Sequence, residues 1–483
     1  MSFSSTPAAS PLDRARKKAY WRLLPILFLA YVIAFVDRAN VAFAKLTMVK
    51  DIPGFDNAVI GLGAGIFFIG YFLLEIPGSV IVERWSARLW IFRIMVTWGL
   101  VAALTAFVGV PLGVSEWTVS IINSVFNAKL GVPEFQFYAA RFLLGLAEAG
   151  FFPGVVVFLS HWFPSRDRAR ALALFFMATP VAQIIAPPIC ALMLKIGTTE
   201  MINGVAVHHP EVLGLKGWQW IYIAWGLPAV VLGFVILGML PDKPRDARWL
   251  RPGERDALEA ELLRNNPKPR EHTSLWKGLR HPKVLALSFA YFCTVTGSYG
   301  VVFFLPSILD SWYNLKYSQL AWLTTLPAIT ALVGQLFIGW NSDRTKERRW
   351  HTVLPIVIGA AAIAVSPLTR GNLTLTIICF MLALGGLKAY LPAFWTMPYL
   401  FLTSSAAAAS IGMINSVGNL GGQLGPYVLG KVETVTGSFV GGLYFLSGSM
   451  MVCATIVFFL GLGRKEAAAV ANIQQTEPTT VKA

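Results

Sequence analysis

Two short charged motifs lie inside long apolar stretches of the sequence, and their residue types suit anion binding and proton exchange. Arg141 and Glu148 are seven residues apart in the run RFLLGLAEAGFFPG. That spacing is about two helical turns, so on a helix they point nearly the same way, roughly 10 Å apart. Asp37 and Arg38 lie in another apolar run. A charge at bilayer depth costs about 2.5–3.5 kcal/mol on insertion scales, so these four side chains are expected to face a hydrated or paired interior.

The types of these four residues indicate which would bind the substrate and which would carry protons. Arginine keeps its charge and offers a planar fork that matches a carboxylate, so Arg38 is the predicted substrate ligand. A carboxylate near a low dielectric responds strongly to its surroundings, so Asp37 and Glu148 are the predicted proton carriers. Arg141 is predicted to modulate Glu148 in the coupling of proton binding to substrate binding. The alternative for both pairs is a static ion pair that locks two helices together.

Four neutral polar residues are further candidates for substrate binding. Tyr71 lies in an aromatic run, where it would hydrogen-bond a carboxylate or hydroxyl, with packing as the alternative. Gln183 lies among three prolines, which predict a kinked helix, and irregular backbone at membrane depth is tolerated where it lines a cavity. Asn415 and Asn419 are four residues apart and share a helix face, with interhelical hydrogen bonding as the alternative use.

Lys388 is a cation in the run GGLKAYLP, with apolar sequence on both sides. If it points inward, it opposes Arg38, and two cations suit a dianion such as an aromatic or hydroxylated dicarboxylate. If it snorkels to the lipid–water interface instead, that argument does not apply.

The composition predicts a polytopic membrane protein. The chain has 483 residues, of which 55% are hydrophobic and 13% charged, whereas soluble domains have about 25% charged residues. The net charge is +15, but the basic residues lie mostly between apolar runs, which fits membrane topology and not a nucleic-acid partner. Four cysteines are scattered singly, so neither a metal site nor a cofactor is predicted. No metalloprotease, nucleophile-elbow or Walker motif is present, which argues against an enzyme or a primary pump.

The apolar runs predict an all-α protein of twelve transmembrane helices in two six-helix bundles. Loop charges predict that both termini and the central linker are cytoplasmic. We also expect the chain to lie in the cell inner membrane as a monomer. The predicted divisions are an N-terminal segment 1–22, a first bundle 23–240, a linker 241–282, a second bundle 283–462 and a tail 463–483.

A weak internal repeat marks two cytoplasmic loops. Each has a glycine, an acid–arginine pair five residues later and then more basic residues. The pairs, Glu83–Arg84 and Asp343–Arg344, are predicted to act in gates, since internal repetition is common in secondary transporters. The alternative for the basic residues is ordinary cytoplasmic loop charge.

Taken together, these features resemble the major facilitator superfamily and, within it, the anion:cation symporter family. The resemblance is carried by Asp37-Arg-Ala-Asn40, by the run 141–154, by Trp162-Phe-Pro164 and by INSVGNLGGQLGPYVLG at 414–430. It implies import of an organic anion such as phthalate, tartrate or a sugar acid with protons, by alternating access between the bundles. The alternatives are an anion exchanger without proton coupling and, more distantly, a membrane sensor that does not transport.

Overall fold

The computed structural model describes residues 10–84, 86–127, 129–202, 205–265, 280–401 and 404–461. Within these ranges it leaves out the side chains of residues 76, 79–80, 82–84, 165–166, 168–170, 173, 200–202, 205–206, 399 and 404–409. The predicted tail, 463–483, lies outside the described residues, as do residues 1–9 of the predicted N-terminal segment and 266–279 of the predicted linker.

The described residues are nearly all helical, and they include one small antiparallel hairpin. The helices of the first bundle are α1 (Pro11–Ala39), α2 (Val41–Asp51), α3 (Asn57–Arg84), α4 (Ala87–Leu104), α5 (Gly113–Phe126), α6 (Val132–Glu148), α7 (Phe151–Trp162), α8 (Ser165–Phe176), α9 (Ala178–Leu194) and α10 (Gly217–Met239). Strands β1 (Thr199–Ile202) and β2 (Val205–His208) pair between α9 and α10. Helix α11 (Pro252–Asn265) belongs to the linker. The second bundle contains α12 (Pro282–Tyr313), α13 (Tyr317–Thr345), α14 (Arg349–Val365), α15 (Leu373–Ala389), α16 (Leu391–Phe394), α17 (Ser404–Asn419), α18 (Gly421–Thr436) and α19 (Val440–Phe459).

Eleven stretches of the described chain are long and apolar enough to cross a membrane. The crossing predicted at 405–430 is formed by α17 and α18, which have 16 residues each and are therefore shorter than a single span. Together they make the twelfth crossing, and the predicted all-α membrane fold is confirmed. We call the membrane side that carries α11 the linker side, and the opposite one the far side.

Several crossings are interrupted inside the membrane, and the interruptions follow candidate residues. Helix α1 ends just after Arg38, α6 ends at Glu148, and α17 ends at Asn419. After α6, Gly150 takes φ +83°, a left-handed conformation that a side chain disfavours. Each break leaves backbone groups without helical partners, which membranes tolerate only where protein or a polar cavity satisfies them. The breaks therefore gather polar backbone around the candidate side chains.

Small residues bring α3 very close to α6 within the first bundle. A Cβ on Gly145 would lie 2.0 Å from the carbonyl oxygen of Phe67, and one on Gly70 would lie 2.4 Å from that of Phe142. Real side chains cannot approach so closely, so only glycine allows this packing. The close contact sets the distance between Tyr71 on α3 and Glu148 on α6.

The two bundles meet closely on the far side, along α3 and α18. A Cβ on Gly61 would lie 2.4 Å from the carbonyl oxygen of Pro426, and one on Gly65 would lie 2.7 Å from that of Gln423. Nearby, Asn57 donates a 2.6 Å hydrogen bond to Glu433. We call this contact the far-side seal, because it separates the interior of the protein from that side of the membrane.

A buried lysine that the sequence analysis did not single out adds to the far-side seal. Lys45 on α2 is 2% exposed, and its Nζ lies 3.2 Å from the ring centroid of Phe304 on α12. Its ammonium group has no hydrogen-bond partner among the described residues. The contact is therefore a cation–π interaction that joins the two bundles.

On the linker side, α1 and the linker form a joint surface. Helix α1 begins at Pro11 with Ser10 as its N-cap, so the described part of the predicted N-terminal segment is the first three turns of this helix. Lys18 lies 2.7 Å from Glu254 on α11, and Trp162 stacks on Trp249 with centroids 5.3 Å apart. The hydrogen bond from Lys18 lowers the pKa of Glu254. The start of the linker is therefore fixed to the first bundle.

Candidate functional site

The centre of the first bundle holds a buried ion pair between Arg38 and Glu148. Nε and Nη2 of Arg38 each lie 2.7 Å from Oε1 of Glu148. Glu148 is 1% exposed and Arg38 8% exposed. The pair joins the last turn of α1 to the last turn of α6, so the residue predicted to bind substrate is already bound to a predicted proton carrier.

Tyr71 forms one wall around this ion pair. It is 3% exposed, and the guanidinium carbon of Arg38 lies 4.9 Å from its ring centroid. Phe67, one turn earlier on α3, lies at 5.6 Å from the same carbon. The aromatic rings favour the cation through cation–π attraction. The structure therefore places Tyr71 within reach of any group that binds Arg38.

Arg141 is fully buried, and none of its three guanidinium nitrogens has a hydrogen-bond partner in the described part of the chain. Its guanidinium carbon lies 5.3 Å from the ring centroid of Phe67. In this structure Glu148 is bound to Arg38 and not to Arg141, the residue predicted to modulate it. Two helical turns, about 10 Å along the axis, separate Arg141 from Glu148, and no ion pair joins them among the described residues. Arg141 instead adds positive potential to the interior.

Asp37 directly precedes Arg38 on α1 and is 1% exposed. Its Oδ1 accepts a 3.0 Å hydrogen bond from Nδ2 of Asn40, the residue at which α1 is interrupted. The Trp98 indole and the Arg141 charge also interact with it. Asp37 thus lies at the helix break, where the charges of both Glu148 and Arg141 act on it, whereas Arg38 is bound directly to Glu148.

A carboxylate that the sequence analysis missed, Glu75, connects the two bundles. It lies one turn after Tyr71 on α3 and is 6% exposed. Its Oε1 accepts a 2.9 Å hydrogen bond from Asn415, and its Oε2 accepts a 3.0 Å bond from Ser416. The signal was present in the sequence, since an acid inside the apolar run GYFLLEIPG costs as much to bury as Asp37 does.

The remaining candidates in the second bundle are placed less centrally. Asn415 contacts the first bundle through Glu75, whereas Asn419, 9% exposed, forms no side-chain hydrogen bond in the described ranges. Lys388 is partly buried in the last turn of α15 and has neither a hydrogen bond nor an ion pair among the residues described.

A small cavity between the bundles is lined by Gln183 and Ala39 of the first bundle and by Thr324 and Leu384 of the second. Lys388 follows Leu384 by four residues, so it lies on the same face of α15 one turn closer to the linker side. The predicted kink near Gln183 has a counterpart in the structure, since α8 ends at Phe176 and α9 begins at Ala178.

The two predicted gate loops are described to different extents. Asp343 pairs with Arg348 at 2.7 Å, and Arg344 lies over the ring of Trp340 at 5.4 Å, so the adjacent acid and arginine do not pair with each other. The side chains of Glu83 and Arg84 lie outside the described part of the chain.

Comparison with known proteins adds an independent line of evidence. The profile of the Major Facilitator Superfamily matches residues 27–426. A protein of Agrobacterium vitis named for tartrate transport is 38% identical over 448 residues, which are 92% of this chain and 94% of that one. A protein of Acinetobacter baumannii named as a quinolone resistance transporter is 34% identical over 463 residues, covering 94% and 97% of the two chains.

The fold is also that of a solved structure. The crystal structure of a bacterial homologue of the human lysosomal transporter Spinster superposes with a TM-score of 0.66 at 16% identity, and it covers 98% of this chain and 99% of that one. At that identity the likeness concerns the fold alone.

Proposed function

Since the chain belongs to the Major Facilitator Superfamily, it is a membrane transporter and not an enzyme, and we propose that it imports an organic anion together with protons. The two bundles would rock about a site between them, exposing it to one side of the membrane and then to the other. The linker side would be the cytoplasm, with both termini there, and the membrane would be the cell inner membrane. The functional unit would be the monomer.

The observation that carries the proposal is the buried bond between Arg38 and Glu148. A substrate carboxylate competes with Glu148 for the same guanidinium, because both are planar acceptors. When the substrate takes Arg38, Glu148 loses both hydrogen bonds in a buried place. A buried carboxylate without donors is costly, so Glu148 takes up a proton at that moment. Binding of the anion and binding of the proton are coupled by this exchange of partners.

Asp37 and Arg141 complete the coupling site in this proposal. Arg141 interacts electrostatically with both Asp37 and Glu148. A change in the charge of either acid therefore changes the potential at the other. Asp37 serves as a second proton carrier, reached through the break at Asn40.

The proposed substrate is a carboxylate or a dicarboxylate such as phthalate, tartrate or a sugar acid. Arg38 and Lys388 supply positive charge, and Tyr71, Gln183, Asn415 and Asn419 supply neutral hydrogen bonds. Two relatives of similar sequence identity are named for different compounds, tartrate in one case and quinolones in the other. Sequence similarity alone therefore does not identify the substrate. On the linker side, Glu83–Arg84 and Asp343–Arg344 would control access.

Reconstituted vesicles with a pH-sensitive dye inside test the proposal. Addition of tartrate, phthalate, sugar acids or hydroxybenzoates outside is expected to acidify the interior for at least one anion, because protons enter with it. An exchanger without proton coupling would require an internal counter-substrate and would leave the internal pH unchanged. A sensor that does not transport would show no flux with any anion, and this result would refute the proposal.

A further inference from the structure

Glu75 is the only described carboxylate of α3 that contacts α17, and it does so through two hydrogen bonds. Asn415 and Ser416 are adjacent residues of the second bundle, and each donates to a different oxygen of the same carboxylate. The carboxylate is 6% exposed. These bonds are charge-assisted and are therefore stronger than bonds between neutral groups. They lie on the opposite side of Phe68 and Tyr299 from the far-side seal.

The charged and titratable groups around Glu75 are few. Arg38 of α1 and Tyr291 of α12 interact with it electrostatically, as does Tyr71 on α3 itself. Arg38 is bound to Glu148, and no cation lies within ion-pair distance of Glu75 in the described part of the chain. Among the described side chains of α17, the donors to Glu75 are the neutral groups of Asn415 and Ser416. The charge of Glu75 is thus compensated almost wholly by hydrogen bonds from the other bundle.

Two proposed substrate ligands, Arg38 and Asn415, are each bound by an acid of the protein itself. In the first bundle, the proposed substrate ligand Arg38 is occupied by Glu148. Across the bundles, the proposed substrate ligand Asn415 is occupied by Glu75. In both cases an acid of the protein holds the donors to which a substrate carboxylate would bind. The arrangement satisfies buried donors when no anion is bound, as buried polar groups require.

We propose that Glu75 is a proton-controlled latch between the two bundles. While ionised, it holds Asn415 and Ser416 and keeps the bundles together on the linker side of Phe68. When it takes a proton from water in the site, one oxygen becomes a donor, and both cross-bundle bonds lose their charge assistance. Asn415 and Ser416 are then released. If a substrate carboxylate replaces Glu75, their buried donors still have an acceptor, so no cost of an unpaired polar group arises. This last step rests on the proposed function, whereas the latch itself does not.

The latch is tested by a distance between the bundles that requires no substrate. Spin labels at L89C and W350C report this distance, since both positions are exposed at the linker-side ends of α4 and α14. In the otherwise unchanged protein, lowering the pH is expected to lengthen the distance. E75Q retains an acceptor for Asn415 but cannot ionise, so it is expected to show the longer distance at every pH. The population of the separated state at neutral pH should rise about tenfold, because neutral hydrogen bonds are roughly half as strong.

E433Q is the matched control. Glu433 also accepts a hydrogen bond across the bundles, from Asn57 at 2.6 Å, but at the far-side seal. It is expected to leave the response to pH on the linker side unchanged. If E75Q responds to pH as the unsubstituted protein does, or if the unsubstituted protein shows no response, Glu75 is not the latch. Because the distance is measured without any anion, a failure of import in the vesicle assay would leave this result intact.

Discussion

The two bundles treat buried charge in opposite ways. The first bundle buries Asp37, Arg38, Arg141 and Glu148 within a few turns of one another. The second bundle approaches the same centre with neutral amides and hydroxyls, and its one candidate cation, Lys388, lies partly buried near the end of α15. Charge that must be neutralised or displaced is therefore concentrated in one half. The other half offers groups that bind an acid without changing their own protonation.

The largest effect is expected from R38A, which removes the centre of the charged half. It takes away the proposed substrate ligand and leaves Glu148 buried without its partner, and losing one partner of a buried pair costs about 3–5 kcal/mol. Uptake of tartrate and phthalate into vesicles should fall by at least about 100-fold. R370A, an exposed arginine of the second bundle, should leave uptake unchanged. Uptake near normal in R38A would show that the first bundle does not hold the binding charge.

The proton assignments are tested by E148Q and D37N. Each keeps the size of the side chain and one acceptor oxygen but cannot ionise, so accumulation driven by a pH gradient should be lost. Exchange of labelled for unlabelled anion at equal pH needs no net proton movement and should persist in E148Q. Normal gradient-driven accumulation in both variants would refute these assignments.

K388A tests whether the second bundle supplies charge at all. If Lys388 faces the site, uptake of dicarboxylates should fall about tenfold more than that of monocarboxylates, because a hydrogen bond to a charged group contributes about 1.5–3 kcal/mol. K431A, on the exposed face of α18, is the control. Equal losses for both kinds of anion would end the argument for a dianion and leave the second bundle neutral.

A smaller effect is expected from G150A at the break after Glu148. Gly150 has φ +83°, and a Cβ there would lie 3.0 Å from Nε1 of Trp90. The left-handed conformation alone costs a residue with a side chain about 1–2 kcal/mol. The midpoint of thermal unfolding should therefore decrease. G448A, in a helix of the second bundle with open space around it, should not lower the midpoint.

The smallest effect concerns the contact of the first bundle with the linker. The pKa of Glu254 is lowered in the folded protein by the hydrogen bond from Lys18. Its ionised form thus stabilises the fold above the unfolded pKa, and this contribution is lost as the pH falls through the folded value. Thermal unfolding midpoints should decline as the pH falls below the ordinary glutamate pKa of about 4.3. The decline should be shallower in K18M, and equal slopes would show that this pair is unimportant.

The sequence predicted which charges of the first bundle are buried, but not the contacts between the two bundles. Apolar runs and the cost of buried charge pointed to Asp37, Arg38, Arg141 and Glu148, and those arguments depend on single segments. The partner of Glu148 could not be predicted, because it depends on how α1 and α6 are placed relative to each other in the folded bundle, which neither segment determines alone. Glu75 was overlooked although its type and position carried the same signal. Its partners, Asn415 and Ser416, lie more than 300 residues further along the chain.

The fold was likewise predictable in some features and not in others. Hydropathy predicted the twelve crossings, but not where helices break, because a break depends on neighbours that satisfy its backbone groups. The extension of α1 back to Pro11 was also not predicted, since the polar residues at its start are stabilised by contacts with α11.

The contact between α3 and α18 has a consequence for the energetics of opening. At Gly61 and Gly65 the surfaces that meet are backbone, so few side chains have to be ordered when they join or released when they part. Ordering a long side chain costs up to about 2 kcal/mol, whereas glycine has no rotamers to lose. Such a joint can form and separate many times with little change in conformational entropy. The free energy of each cycle of closing and opening is then determined mainly by the binding of ions, protons and substrate.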